Sequence, residues 1–252
     1  MQKIFEPNAS LVSAIAASPN FDERQGGAPN MILLHYTGME NAEAALARLC
    51  DASAKVSSHY FVHEDGRVLQ LVPEVRRAWH AGDALWDGES DINSRSIGIE
   101  IVNPGHELGY PDFPRAQTAA VIALCRDIIK RRDIRAGRVL AHSDVAPLRK
   151  QDPGEKFPWD LLHKNGVGHW VAPAPLAEGP VLKPGDRGEA VTMLQTMLAR
   201  YGYGLPLTGE FDATNEAVVA AFQRHFRPAR VDGIADTSTV TTLRDLLAAR
   251  PI

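Results

Sequence analysis

The sequence predicts an α/β fold with a mixed central sheet flanked by helices, followed by a second, small three-helix domain. Three observations carry that expectation. Strand-like apolar runs alternate with a helical pattern through the first 166 residues. A proline- and glycine-rich stretch with little periodicity then interrupts the chain. Beyond it only helical spacing remains. The expected organisation is an α/β domain over residues 1–166, a linker over 167–182 and a three-helix domain over 183–252.

The elements follow in order. The opening MQKIFEPNASLVSAIAAS has one lysine and an apolar run broken by serines, a poor secretory signal. PNMILLHY (29–36) is an apolar strand that ends on a histidine. SHYFVHEDGRVLQLV (58–72) is a hairpin, its two strand-like runs joined around Asp65-Gly66, a favoured tight-turn pair. SIGIEIV (96–102) is a further strand. Between Gln117 and Arg132, Val121, Leu124, Cys125, Ile128 and Ile129 recur at three- and four-residue spacing, an amphipathic helix with Pro114 near its start. RVLAH (138–142) is a short last strand that delivers His142.

In the second domain Val191, Leu194 and Leu198 form one apolar stripe. Val218, Ala221, Phe222 and His225 form another, and Val240, Leu243 and Leu246 a third. Asp212 and Asp236 are placed as N-caps of the second and third helices. They lie in a repeated pattern, G-x-x-D-x-[ST]-[NT], at Gly209–Asn215 and Gly233–Thr239. No cluster of catalytic residue types occurs there, so binding is the expected work of this domain.

Bulk properties exclude several classes. The 252 residues, 44% hydrophobic and 23% charged, are those of a globular protein. A net charge of -4 gives no reason to expect nucleic acid. The basic run Arg126 to Arg135 is interrupted by apolar residues at helical spacing and reads as a solvated helix face. No apolar stretch approaches the ~18 residues of a membrane span. Cys50 and Cys125 make no disulfide framework, and Cys125 falls on an apolar helix face, where a core position is expected.

The chemistry concentrates in AHSDVAPLRKQDPGEKFPW (141–159). Pro147 and Pro153 with Gly154 forbid a regular helix or central strand. Nine residues separate His142 from Asp152, too many for one helical turn of ligands. A loop folded back on itself brings both to one point. A catalytic zinc ion takes three protein ligands and an open position, and imidazole and carboxylate both suit it. A third ligand belongs at the end of another strand, where open α/β sheets place their sites, and His35 at the end of MILLH is the best candidate. A histidine ending a strand equally serves as a core or surface residue, and both readings stand at this point. Alternation puts Ile97, Ile99 and Ile101 on one face and Ser96, Gly98, Glu100 and Val102 on the other. Glu100 is then either an ordinary solvent-facing acid or a general base, its pKa raised by apolar flanks, that takes a proton from water.

Taken together, His35 in LLHYTGM, the hairpin SSHYFVHEDGRVLQLVPE, RAWHAG (77–82), SIGIEIVN, AHSD and RKQDPGEKFPW resemble one family in matching order from about residue 30 to 162. It is that of the zinc-dependent N-acetylmuramoyl-L-alanine amidases of the amidase-2 type, related to phage lysozyme-like amidases and to peptidoglycan recognition proteins. The K-x-D-P-G-x-x-F-P-W block is the most specific part. Residues 183 to 248 separately resemble the three-helix peptidoglycan-binding module, through GDRGEAVTMLQTMLARYGY and GEFDATNEAVVAAFQ.

The resemblance implies Zn2+ held by His35, His142 and Asp152, with Glu100 activating water and Lys150 steadying the tetrahedral oxyanion. Tyr36, His59, Trp79, His80 and Asn103 match positions around the family's substrate cleft. Phage-type relatives carry a tyrosine just before the hairpin histidine, where Ser58 stands here, and this places more weight on Glu100. The implied reaction is cleavage of the amide between the lactyl group of N-acetylmuramic acid and L-alanine of the stem peptide, in cell-wall remodelling or recycling. Peptidoglycan or muropeptides are the implied partners. The alternative is a non-catalytic peptidoglycan-binding protein, against which the complete set of ligands, base and cation argues. A zinc peptidase cutting within the stem peptide has no sequence feature in its favour. Location follows substrate: polymeric wall implies the cell envelope, specifically the periplasm, whereas recycling of small fragments implies the cytoplasm.

Overall fold

In the computed structural model, residues 5–250 are described. Strands β1 (Val12–Ile15), β2 (Phe21–Glu23) and β3 (Met31–Tyr36) come first, then helix α1 (Ala42–Cys50). The hairpin forms as β4 (Tyr60–Val62) and β5 (Val68–Gln70), with β6 (Arg76–Ala78) after it. The short helix α2 (Ile92–Arg95) leads into β7 (Ser96–Ile101), and α3 (Arg115–Arg132) into β8 (Val139–Ala141). The α4 (His142–Val145) and α5 (Trp159–Lys164) helices precede α6 (Glu189–Tyr201), α7 (Ala213–Phe226) and α8 (Thr237–Ala249). No helix among the described residues is long and apolar enough to cross a membrane.

The main sheet has the order β1-β5-β4-β7-β3-β8. Its pairs are parallel except the β4–β5 hairpin, so the sheet is mixed, as the sequence predicts. The hairpin turns where Gly66 takes φ 88°, and Asp65 accepts the Arg67 N–H at 3.0 Å. Asp212 and Asp236 cap α7 and α8 as expected, accepting the N–H of Asn215 and Thr239.

The two faces of this sheet are covered by different parts of the chain. On one face Ile32, Leu34, Ile97, Ile99 and Ile101 pack with Val121, Leu124, Cys125 and Ile128 of α3. On the other, Met31, Leu33 and Leu140 belong to a single apolar cluster with Val191, Leu194, Val218, Phe222 and Leu243 of the three C-terminal helices. That division explains why MILL shows no polar alternation. A strand buried on both faces reads as a continuous apolar run.

The stretch 167–182 therefore differs from a free tether. It forms no helix, but Val167 and His169 are buried and His169 Nδ1 lies 2.9 Å from the Tyr201 hydroxyl. Ala174 exchanges hydrogen bonds with Thr242 and Ser238 of α8, and Leu182 bridges to Ala235. Proline and glycine content reports a lack of periodicity, not a lack of contacts. The docking itself is tight: Trp86 packs edge-on against Tyr201 and Tyr203, and a Cβ on Gly202 would lie 2.5 Å from the Trp86 ring.

Candidate active site

Parallel β3, β7 and β8 present their C-terminal ends along one edge of the sheet, the edge where such sheets carry sites. His35 is in register with Glu100, and Leu34 with Ala141, so His142 follows directly beyond β8. The loop after α4 folds back as its prolines and glycine require. Lys150 N–H donates to the Ala146 carbonyl and Ser143 N–H to the Asp152 carbonyl, both at 3.0 Å, and this returns Asp152 beside His142. Phe157 and Trp159 are buried against the α3 side of the sheet and pin the loop's far end.

Three donor atoms meet. His35 Nδ1 and His142 Nδ1 are 2.9 Å apart, and Asp152 Oδ2 is 3.1 Å from each. All three residues are buried. Their surroundings fix which nitrogen bears hydrogen. His142 Nε2–H donates to the Ala81 carbonyl at 3.0 Å, leaving Nδ1 as a lone pair. The Ser96 hydroxyl donates to the Ile92 carbonyl, so it accepts from His80 Nε2–H at 3.4 Å. His80 Nδ1 then accepts from His35 Nε2–H at 3.1 Å, and His35 Nδ1 is also a lone pair. Burial, with the His142 ring beside it, lowers His35 to about 4, so it is neutral at pH 7, as a ligand must be. Burial would raise Asp152, but His142 and His35 outweigh it and hold this carboxyl well below the usual range. Two nitrogen lone pairs and a carboxylate oxygen aimed at one point are a donor set for a cation. Their separations approach the ~3.3 Å expected between tetrahedral ligands about 2.0–2.1 Å from zinc. The residues present fit the metal.

Glu100 and Lys150 line the same cleft, of about 380 Å³, with the three donors. Glu100 is half-buried and opens on this cleft. Burial pushes its carboxyl well above the usual range, the Asp152 charge adds to that and Lys150 opposes it. Its Oε2 is buried without a protein hydrogen-bond partner. A carboxyl with a raised affinity for a proton and one oxygen left unbonded is suited to exchanging a proton with a substrate.

The cleft contains Tyr36, Trp79 and His80 but not His59 or Asn103. Tyr36 reaches His106 Nδ1 with its hydroxyl at 3.0 Å. His80 is committed to holding His35, and its ring fills the space that Gly98 leaves, where a Cβ would lie 2.5 Å from it. His59 corrects the expectation from resemblance. It is fully buried, its Nδ1 accepts the Gly98 N–H and its Nε2 lies 2.8 Å from Arg24 Nη2 and 3.0 Å from the Arg76 carbonyl, so it ties β7 to β6. Asn103 is corrected likewise. Its amide donates to the Pro111 carbonyl and its oxygen accepts the Gly105 N–H, which fixes the loop after β7. Ser58 is buried and donates to the Tyr60 carbonyl, so that position makes no part of the cleft. Sequence reasoning missed the Ala81 carbonyl and Ser96 as supports of the ligands. Small residues on the Glu100 face were the available signal for Ser96, and nothing in the sequence marks a carbonyl.

Comparisons with known proteins agree with this geometry. The family described as N-acetylmuramoyl-L-alanine amidase matches residues 25–155, and that described as a putative peptidoglycan binding domain matches residues 187–243. The N-acetylmuramoyl-L-alanine amidase AmiD of Escherichia coli (strain K12) is 38% identical over 237 residues, 86% of this chain and 82% of AmiD. The solved complex of E. coli AmiD with anhydro-N-acetylmuramic acid-L-Ala-D-gamma-Glu-L-Lys superimposes with a TM-score of 0.75 at 36% identity, over 91% of this chain and 97% of that one. The structure of AmpDh3 from Pseudomonas aeruginosa gives 0.76 at 31% identity, over 90% and 94%. With the order of its motifs, its mixed sheet and its matched span in agreement, this chain belongs to the N-acetylmuramoyl-L-alanine amidase family of the amidase-2 type.

Proposed function

We propose that the protein is a zinc-dependent hydrolase of the amide bond between the lactyl group of N-acetylmuramic acid and L-alanine of the peptidoglycan stem peptide. The observation that carries this reading is the convergence of His35, His142 and Asp152 in a cleft that also holds Glu100 and Lys150. The family is zinc-dependent in general, and the related AmiD has been solved with a muropeptide of this kind. A bound zinc ion supplies Lewis-acid polarisation of the scissile carbonyl and lowers the pKa of water.

The chain's own residues do the rest. Glu100, with its raised affinity for a proton, takes one from the attacking water and delivers it to the amine of the departing L-alanine. The Lys150 ammonium faces the charge that develops on the carbonyl oxygen. Trp79 and Tyr36 line the approach to the reacting bond. The division of the chain into a catalytic unit (1–166), a connecting segment (167–182) and a wall-binding unit (183–252) belongs to this proposal, as does a place of work in the cell envelope, in the periplasm. A non-catalytic wall-binding protein has no need of a glutamate with an unbonded carboxylate oxygen in the cleft of the donor set, and no observation favours it.

Digestion of purified sacculi and of a soluble muropeptide, with and without added zinc, tests the proposal. Mass spectrometry should find free glycan and intact stem peptides. Cleavage within the stem peptide, or none with zinc present, would sink it.

A further inference from the structure

We infer that Tyr203 and His225, both in the three-helix unit, are positioning residues for the metal ligand His142, acting through Asp144. The inference rests on the metal-site reading of His35, His142 and Asp152.

Helix α4 is only four residues long, and the Ala146 N–H closes its end on the His142 carbonyl. One turn does not hold its own orientation, because the entropy of fixing it exceeds what so short a helix returns in hydrogen bonds. External contacts must set it: Ser143 N–H donates to the Asp152 carbonyl, Leu85 N–H to the Val145 carbonyl, and the fully buried Asp144 is the residue bonded to the three-helix unit. Asp144 Oδ2 accepts the Ala141 N–H at 2.8 Å, within its own turn. The other two donors come from the three-helix unit packed directly against this turn. His225 Nδ1 lies 2.7 Å from Oδ2, and the Tyr203 hydroxyl 2.7 Å from Oδ1. A buried carboxyl left with one backbone donor is costly, so this turn is satisfied in its present place only with both partners docked.

The partners are themselves held. The His225 ring stacks on Trp159 with centroids 3.7 Å apart, and Trp159 belongs to the K-x-D-P-G-x-x-F-P-W block that carries Asp152. Tyr203 is buried and meets Trp86 edge-on at 5.0 Å. On the same helix as His225, Arg224 Nη2 approaches Gln151 Oε1 at 3.4 Å, one residue before Asp152. Helix α7 thus touches the metal-site segment at both ligands' neighbours. Nothing in the proposed chemistry needs Tyr203 or His225 to meet substrate. Their work is to fix where His142 presents its lone pair.

The full-length protein and four variants test this. Tyr203→Phe removes only a hydroxyl, His225→Phe keeps a stacking ring without the donor, and His225→Asn returns a donor near the Nδ1 position. Leu246→Ala, in the core of the same unit, lowers stability and leaves the Asp144 bonds untouched. Affinity for zinc alone is read by chelator competition, beside kcat and KM on a soluble muropeptide and the melting temperature. Tyr203→Phe and His225→Phe should each bind zinc about tenfold more weakly and lose about tenfold in kcat, with KM held, the lower end of what supporting partners of metal ligands contribute. His225→Asn should recover most of both. Leu246→Ala should melt earlier with zinc affinity and kcat retained. Unchanged zinc affinity and kcat in Tyr203→Phe and His225→Phe would overturn the inference, as would an equal zinc loss in Leu246→Ala. If the unmodified protein binds no zinc, the metal-site reading itself fails, and the inference with it.

Discussion

His35 and Glu100 are register partners on the adjacent parallel strands β3 and β7. Partners in a parallel pair point to the same face, and neighbouring strands lie ≈ 4.7–4.9 Å apart. The distance between a proposed ligand and the proposed base is therefore set by the backbone ladder of two buried strands. Loop motion does not alter it, and replacing either side chain should leave the other in place.

Glu100→Gln should accordingly fold, hold zinc and lose roughly 10²–10⁴-fold in kcat, the range for a general acid–base group. Its raised pKa has a second consequence. A carboxyl raised in the fold contributes stability that is present below the unfolded pKa, about 4.3, and is lost as pH rises through the folded value. Chelator-treated Glu100→Gln should therefore melt above the equally treated parent at pH 7, and the gap should close near pH 4. Calorimetry at the two pH values checks the sign, and a lower melting point at pH 7 would contradict it.

Removal of the metal should abolish hydrolysis, and added zinc should restore it. His142→Ala should lose stoichiometric zinc, whereas Lys150→Ala should keep it and slow kcat by about 10²–10³-fold, the scale for one oxyanion donor. Zinc content measured alongside rate separates the two roles. Full activity with stoichiometric zinc in His142→Ala would show that the ligand set is wrong.

For His59 the expectation is structural. Burial, with Arg24 nearby, lowers its pKa to about 3, so it is neutral in the fold while an unfolded histidine titrates near 6.5. The stability this carries is present above pH 6.5 and is lost as pH falls toward 3. His59→Gln should flatten that acid-side loss. At pH 8 it should lower stability by about 1–3 kcal/mol for the hydrogen bonds removed, with KM for soluble muropeptide unchanged. A raised KM at an unchanged melting temperature would return His59 to the substrate cleft.

Periodicity made β7 and the long helices legible, because β7, α3 and α6 to α8 each bury a regular stripe, whereas β3 was legible as a continuous apolar run. Strands β2 (FDE) and β6 (RRA) are only partly buried and carry no apolar run to mark them, and α1 buries little beyond alanines and Leu49. The meeting of His142 and Asp152 was legible for a different reason, since a loop stiffened by Pro147 and Pro153 has few ways to return Asp152 to His142. The face on which a residue lands is harder to read. His59 and Asn103 sit among motif residues in sequence, yet their side chains turn into the fold and bond backbone groups there. The docking of the helical unit left one trace, the apolar run MILL, which demands cover on both faces, and α1 covers that second face over Phe61, Leu69 and Val102 instead of over Met31 and Leu33.

That trace leads to the last prediction. A chain ending at Leu176 lacks α6, α7 and α8, the helices that complete the cluster around Met31, Leu33, Trp86, Leu140 and Val145. Each of these side chains is at most 2% exposed in the whole protein. Burial of such a side chain contributes about 1.5–3 kcal/mol, so uncovering even three or four approaches the ~5–15 kcal/mol that holds a folded protein together. The fragment should melt far below the full chain or aggregate, and its hydrolysis of soluble muropeptides and of sacculi should fall together. A tethered binding unit predicts another result. The soluble rate would survive truncation and only the sacculus rate would drop, because tethering acts through local concentration of the polymer. Both rates and the sedimentation of one truncated protein distinguish these outcomes, and a fragment that is monomeric, stable and fully active on soluble muropeptide would show that the shared core is dispensable.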